Sequence, residues 1–159
     1  MLFVIMKRDR SRAIDELIIA VFRLNGSLIE AGSRLVEDIG LTPAWWQVLG
    51  ALALSPVPLT VPQIARNMGL ARQSVQRVVD LLLEKRFVRL EDNPHHRRAK
   101  LVVLSREGSA VYEEAQRRQR PWARSLAAGL AEEAISAAAT VLKRLDQRLA
   151  SQNSFDHDG

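Results

Sequence analysis

The chain has 159 residues, 47% apolar and 26% charged, which suits one soluble domain able to bury its own core. It has no cysteine, which excludes disulfides, thiolate metal sites and cysteine-based redox sensing. A formal net charge of +5 favours polyanionic partners, with nucleic acid ahead of membrane headgroups.

The apolar opening, Met1 to Met6, comes before the charged Lys7-Arg8-Asp9-Arg10. A secretory signal needs the opposite order, so residues 1–10 read as a tail, with Met6 as an alternative start. No stretch is long enough to cross a bilayer, and a cytoplasmic location is expected. From about Ser11 to Ile39 apolar residues recur at spacings of three and four, including Ile14, Leu17, Ile18 and Val21. A helix of about 28 residues spans roughly 42 Å, more than a small domain needs, so it is expected to pair with a second chain. Gly26 and Gly32 are candidate bends. Gly40 ends this helix, and Thr42-Pro43 starts the next as cap and first helical residue. That helix carries Trp45, Trp46, Val48, Leu49 and Leu52, and it stops before Ser55-Pro56-Val57-Pro58.

Thr60 and Gln63 form a capping-box pattern ahead of a short helix to Met68. Gly69 breaks it, and a further helix runs from Ala71 to Lys85, which together make a helix-turn-helix. The period then changes to alternation over Phe87 to Glu91 and Lys100 to Leu104, around a polar turn from Asp92 to Arg98. This predicts a β-hairpin with a basic tip. Ser105 reads as the cap of a long helix that Pro121 should break or kink, and a last helix runs from about Glu132 to Ala150. Residues 151–159 read as a disordered tail. The predicted fold is mainly α: a winged helix-turn-helix over about 41–105, inside one domain of residues 11–150. The dimerisation helices lie over about 11–39 and 106–150.

On the Ala71–Lys85 helix, Val75, Val78, Val79, Leu82 and Leu83 share a core-facing stripe. The opposite face offers Arg72, Gln73, Gln76, Arg77 and Asp80, with Ser74 in the first turn. Arginine reads guanine through two acceptors, and glutamine pairs with adenine. Arg72, Gln73, Gln76 and Arg77 are therefore the candidate base readers, and Ser74 a phosphate or base contact. The competing explanation is a plain solvated face. The basic hairpin tips the balance: from Ala71 to Lys100 there are eight Lys/Arg against four Asp/Glu. Thr60, Arg89, Arg97, Arg98 and Lys100 complete the expected DNA-binding set, the arginines suiting a narrow minor groove.

The segment from Leu59 to Leu70 resembles the second helix-turn-helix element of MarR-family regulators, and Ala71 to Leu82 resembles their recognition helix. Phe87-Val88-Arg89 onwards resembles their wing, and Leu104-Ser105-Arg106-Glu107-Gly108 the start of the following helix. The motif resemblance spans about Leu41 to Tyr112. It implies a winged-helix homodimer held by the first helix and the last two, with Leu142, Leu145 and Leu149 on the last. It further implies a palindromic operator on double-stranded DNA and repression relieved by a small aromatic or anionic effector. Trp45 and Trp46 would line the effector pocket; alternatively one is core and the other packs on the long helix. Two departures stand out. Family wings commonly have an acid before the paired arginines, where this chain has His96, which leaves bracing to Asp92 or another acid. Arg86 stands where a glycine is common.

The remaining polar clusters point to less. His95-His96 would face opposite ways in a strand and lack a third ligand, so no metal is expected, and His157 lies in the tail. The run Arg117-Arg118-Gln119-Arg120 with Arg124 fits an anionic ligand, flanking DNA or a solvated face. No nucleophile–base set, phosphate-cradling glycine loop or cofactor motif is present in the sequence, so no cofactor and no enzymatic activity are expected. A protein-interaction module built on the same fold is the rival function, and a membrane-surface role is the weakest.

Overall fold

The computed structural model describes the backbone from Leu2 to Phe155 and side chains over residues 10–152. The chain forms two compact units, residues 1–119 and 120–159. The first contains α1 (Leu2–Val36), a 3-10 turn (Glu37–Ile39), α2 (Pro43–Ala53), β1 (Leu59–Thr60), α3 (Val61–Met68), α4 (Arg72–Glu84), β2 (Val88–Glu91) and β3 (Leu101–Leu104). Helix α5 (Arg106–Ala127) begins in this unit. The second unit holds its end and α6 (Glu132–Phe155).

Side-chain caps fix where the helices begin. Thr42 Oγ1 accepts from the Trp45 N–H at 3.2 Å, and Pro43 follows in the first turn of α2. At α3 the capping box is complete: the Gln63 N–H donates to Thr60 Oγ1 at 3.4 Å, and the Thr60 N–H donates to Gln63 Oε1 at 2.8 Å. Gly40 and Gly69 end their helical segments with φ of 77° and 62°, the left-handed geometry that glycine takes without a steric cost.

The strands pair antiparallel in the order β1-β3-β2, with Val88 opposite Leu104 and Leu59 opposite Val102. Val36, Val48, Leu49, Ile64, Val75, Val79, Leu82 and Val102 are fully buried in one core that joins α1, α2, α3, α4 and the sheet. Each such side chain contributes about 1.5–3 kcal/mol by leaving water.

The turn from α4 into β2 is locked from the far side of the hairpin. Ser105 Oγ donates to the Arg86 carbonyl at 2.7 Å and accepts from the Gly108 N–H at 2.8 Å. The Ser105 N–H donates to the Phe87 carbonyl at 3.0 Å. A Cβ on Gly108 would lie 1.8 Å from that same carbonyl oxygen, so only glycine fits. Arg86 sits at φ 60°, the backbone state that a glycine at this position would relieve.

The termini differ from the expectation. Helix α1 begins at Leu2 rather than near Ser11, so the tail over residues 1–10 is helical from Leu2 onwards. No proline or glycine interrupts the chain before Gly26, and leucine, methionine, lysine and arginine are good helix formers. Gly26 and Gly32 lie inside the same helix, and Pro121 lies inside α5, which runs on to Ala127. Proline removes one N–H from the ladder, and the remaining bonds carry the helix past it. Helix α6 takes in Ser151 to Phe155, while residues 156–159, with His157, lie outside the described residues.

Arg118 on α5 holds the end of α1. Its Nη1 donates to the Leu35 carbonyl at 3.1 Å and pairs with Asp38, and its Nε donates to Glu114 Oε1 at 2.9 Å. Hydrogen bonding from Arg118 holds both carboxyls below their ordinary values of 3.8 and 4.5. Groups depressed on folding stabilise fully above those values, and the contribution is lost as pH falls through the lowered ones.

Two measurements follow from these contacts. Gly108→Ala should destabilise by about 1–3 kcal/mol or more, as overpacking against a backbone carbonyl does, whereas Arg86→Gly should stabilise by up to about 1 kcal/mol; urea unfolding reads both. Below about pH 4 the thermal midpoint of the natural chain should fall more steeply than that of Arg118→Met, and parallel curves would remove Arg118 from this role.

Candidate nucleic-acid interface

Helix α4 divides cleanly. Val75, Val79 and Leu82 are buried, with Val78 and Leu83 half-buried beside them, and this face fixes the helix against α2 and α3. Arg72, Gln73, Ser74, Gln76, Arg77 and Asp80 are all exposed on the rest of its surface. Within that set the Gln76 amide donates to Asp80 Oδ1 at 2.8 Å. Arg72 and Arg77 have no partner among the described residues.

The start of α4 is chemically unlike that of its neighbours. Thr42, Thr60 and Ser105 cap α2, α3 and α5, but Ala71 stands at the cap position of α4 and offers no side-chain acceptor. The first turn contains no acid. Its free N–H groups and the positive end of the helix dipole therefore face outward next to Arg72, an arrangement that suits a phosphate oxygen.

The wing is braced by two ion pairs. Arg89 donates to Glu91 Oε1 through Nε at 3.0 Å and Nη2 at 2.8 Å, and through Nη1 to the Leu104 carbonyl at 2.9 Å across the hairpin. Lys100 pairs with Asp92 at the base of the loop, and its ammonium holds the Asp92 carboxyl below the ordinary carboxylate range. Asp92 thus supplies the bracing acid that the sequence lacks before Arg97. In the loop, the His95 N–H donates to Asn93 Oδ1 at 3.0 Å and the His96 N–H to the Asn93 carbonyl at 3.2 Å. Arg97 and Arg98 are exposed at the tip and unpaired among the described residues.

Three of the expected contact residues have other work. Thr60 is 7% exposed and its hydroxyl is bonded to Gln63, so it positions α3. Arg89 and Lys100 hold the hairpin together. Trp45 and Trp46 are half-buried against the core, and Trp46 lies beside Gly32 of α1. In the basic run, Arg117 pairs with Glu114 and Arg118 with Asp38 and Glu114, so neither is a free anion receptor. Arg66, exposed on α3, was absent from the expected set; its signal was a cation on the polar face of a short amphipathic helix.

On α1, Ile14 and Leu17 are half-buried, while Ile18 and Val21 are exposed, as are Phe22 and Leu28. On α6, Leu142 and Leu149 are exposed and Leu145 is half-buried. No single helix among the described residues is long and apolar enough to cross a membrane. The described residues contain no cluster of His, Asp and Glu able to hold a metal ion.

The sequence profile of the MarR family matches residues 39–99, the stretch that contains α2, α3, α4 and the wing loop. An uncharacterized protein of Mycobacterium tuberculosis is 41% identical over 101 residues, which cover 64% of this chain and 69% of that protein. The chain belongs to the MarR family. Transcriptional activatory protein BadR of Rhodopseudomonas palustris is 29% identical over 101 residues, covering 62% of this chain and 58% of BadR. The crystal structure of CouR from Rhodococcus jostii RHA1 bound to p-coumaroyl-CoA superposes with a TM-score of 0.75 at 21% identity. The match covers 82% of this chain and 92% of CouR. This likeness establishes the winged helix-turn-helix fold, and with the family it makes the chain a MarR-type transcription regulator.

The bare cap position yields a prediction with two signs. Ala71→Asp should raise stability by about 1 kcal/mol by capping α4, and should weaken duplex binding by setting a carboxylate where a phosphate is expected. Thermal melting and fluorescence anisotropy read the two effects; tighter duplex binding would deny the phosphate role of this helix end.

Proposed function

We propose that this MarR-family protein is a cytoplasmic homodimeric repressor that binds a palindromic operator and is released by a small effector. The observation that carries the reading is the two-faced α4: one face is sealed in the core, and the other presents Arg72, Gln73, Gln76 and Arg77 beside an uncapped N-terminus. In a major groove these side chains meet base-edge acceptors and donors, and Ser74 meets a phosphate or a base. Arg97 and Arg98 at the wing tip reach the neighbouring minor groove or backbone. Thr60, Arg89 and Lys100 serve the same interface indirectly, by holding α3 and the wing in place.

A palindrome needs two recognition helices about 34 Å apart, which one winged helix does not supply. The exposed apolar residues of α1 and α6, among them Ile18, Val21, Leu142 and Leu149, offer the area that a second copy would cover. The effector reading draws on CouR, whose structure holds p-coumaroyl-CoA, and on the half-buried Trp45 and Trp46. Repression is the proposed direction, and a reporter fused to the operator separates it from the activatory role that BadR is named for. Family membership and the absence of a catalytic motif in the sequence support a non-enzymatic role.

The test is binding to a fluorescent duplex from the DNA flanking the gene, against a scrambled duplex, across a salt series. Specific binding that weakens steeply with salt supports the reading; equal, weak binding to both duplexes counts against it. Arg77→Ala should cost about 1–3 kcal/mol and relax specificity at one base position, whereas Arg97→Ala should weaken all sequences alike and lower the salt slope by about one. A uniform loss for Arg77→Ala, or an unchanged slope for Arg97→Ala, would exchange or remove those roles.

A further inference from the structure

The wing tip is made of two turns in series. The His96 N–H donates to the Asn93 carbonyl at 3.2 Å, and the Ala99 N–H donates to the His96 carbonyl at 3.1 Å. Asn93 opens the first turn and Pro94 follows with its fixed φ, the residues that a β-turn prefers at those places. Asn93 Oδ1 also accepts from the His95 N–H at 3.0 Å. His95 thus sits inside the first turn, His96 joins the two turns, and Arg97 and Arg98 are the central pair of the second. These bonds fix the main chain and leave four consecutive side chains, His95 to Arg98, exposed.

The charge around them is one-sided. The hairpin has two acids, Glu91 and Asp92, and they are paired with Arg89 and Lys100. His95 and His96 also line the cleft towards α3, where Arg66 is the charged residue that faces them and Gln63 is neutral. The segment before α3 contributes Val57, Pro58 and Thr60 to the same cleft and no charge. No aspartate or glutamate lines it. Neither imidazole has a hydrogen-bond or ion-pair partner among the described residues, and neither has Arg97 or Arg98. The protein therefore places no carboxylate to balance a proton on either ring.

A protein with a helix in a major groove and a wing in the next minor groove straddles one phosphodiester strand. We infer that His95 and His96 are phosphate contacts of the wing and that they take up a proton when a duplex binds. The phosphate supplies the counter-charge that the free protein lacks at this place. An imidazole that gains an anionic partner on binding keeps its proton to higher pH. Duplex affinity then rises as pH falls through the range in which imidazoles titrate, and the gain is lost above that range. Arg97 and Arg98 impose no such dependence, because a guanidinium stays charged throughout. The proton uptake rests on the DNA-binding reading.

The experiment uses the full chain and a rhodamine-labelled duplex at constant ionic strength. Phosphate contacts carry no sequence information, so the flanking-DNA duplex and its scrambled counterpart both serve. Binding should be about three- to ten-fold tighter near pH 6 than near pH 8, the size of effect that one imidazole shifted by up to about one unit gives. Calorimetry in two buffers of different ionisation enthalpy should show net proton uptake near neutral pH. The double variant His95→Gln, His96→Gln keeps hydrogen-bonding side chains without a titrating ring. It should bind with a flat pH profile and no proton uptake, at an unchanged thermal midpoint. The variant retains His157, which serves as the internal control. An affinity independent of pH would overturn the inference and leave the DNA-binding reading standing, and so would a pH dependence that survives in the double variant. No binding to either duplex at any pH would bring down the DNA-binding reading, and the proton uptake with it.

Discussion

The arrangement of reading helix and wing depends on one backbone approach, that of Gly108 to the carbonyl of Phe87. A methyl group at Gly108 would lie 1.8 Å from that oxygen. The approach brings the first turn of α5 against the residue that leads into β2. Ser105 then bonds to both Arg86 and Phe87, and the turn leaving α4 is closed. The direction in which the wing leaves the recognition helix is set here, at a cost visible in the left-handed φ of Arg86. Tight packing of main chain on main chain leaves little slack, because protein interiors respond to even one methylene.

Around that junction the polar side chains fall into two groups. Thr42, Thr60, Ser105, Arg89, Lys100 and Arg118 spend their hydrogen bonds inside the protein. Arg66, Arg72, Arg77, Arg97 and Arg98 have no partner among the described residues. Most exposed ion pairs are worth under about 1 kcal/mol each, so the first group matters for placement more than for stability. The second group keeps its donors free of protein partners among the described residues.

Much of this was legible in the sequence where a local rule applies. Thr42, Thr60 and Ser105 announced their helices, Gly69 announced the turn, and the change from helical to alternating period announced the hairpin. What was not legible came from pairs distant along the chain. Nothing local marks Arg118 as the partner of Leu35 and Asp38, or Gly108 as the neighbour of Phe87. β1 is two residues long and carries no period of its own; it exists because β3 offers Leu101 and Val102 an edge to pair on. The internal bonds of Thr60, Arg89 and Lys100 were not legible either, because a residue's type does not say which neighbour its donors meet. The early start of α1 was missed because a helical stretch without a cap and with apolar residues on several sides has no boundary signal.

Asp80 on the exposed face of α4 has a bearing on selectivity that the basic residues do not. A carboxylate only accepts hydrogen bonds, and its charge is the same sign as a phosphate's. In a major groove it tolerates a cytosine amine and meets guanine or thymine oxygens as repulsion. In the free protein that charge is engaged by the Gln76 amide, so letting Gln76 turn to an adenine uncovers it. Under the proposed function the two residues would act as one reader: an adenine at Gln76 would be rewarded only where the base facing Asp80 is also acceptable. Such a pair discriminates by making wrong sites worse rather than the right site tighter.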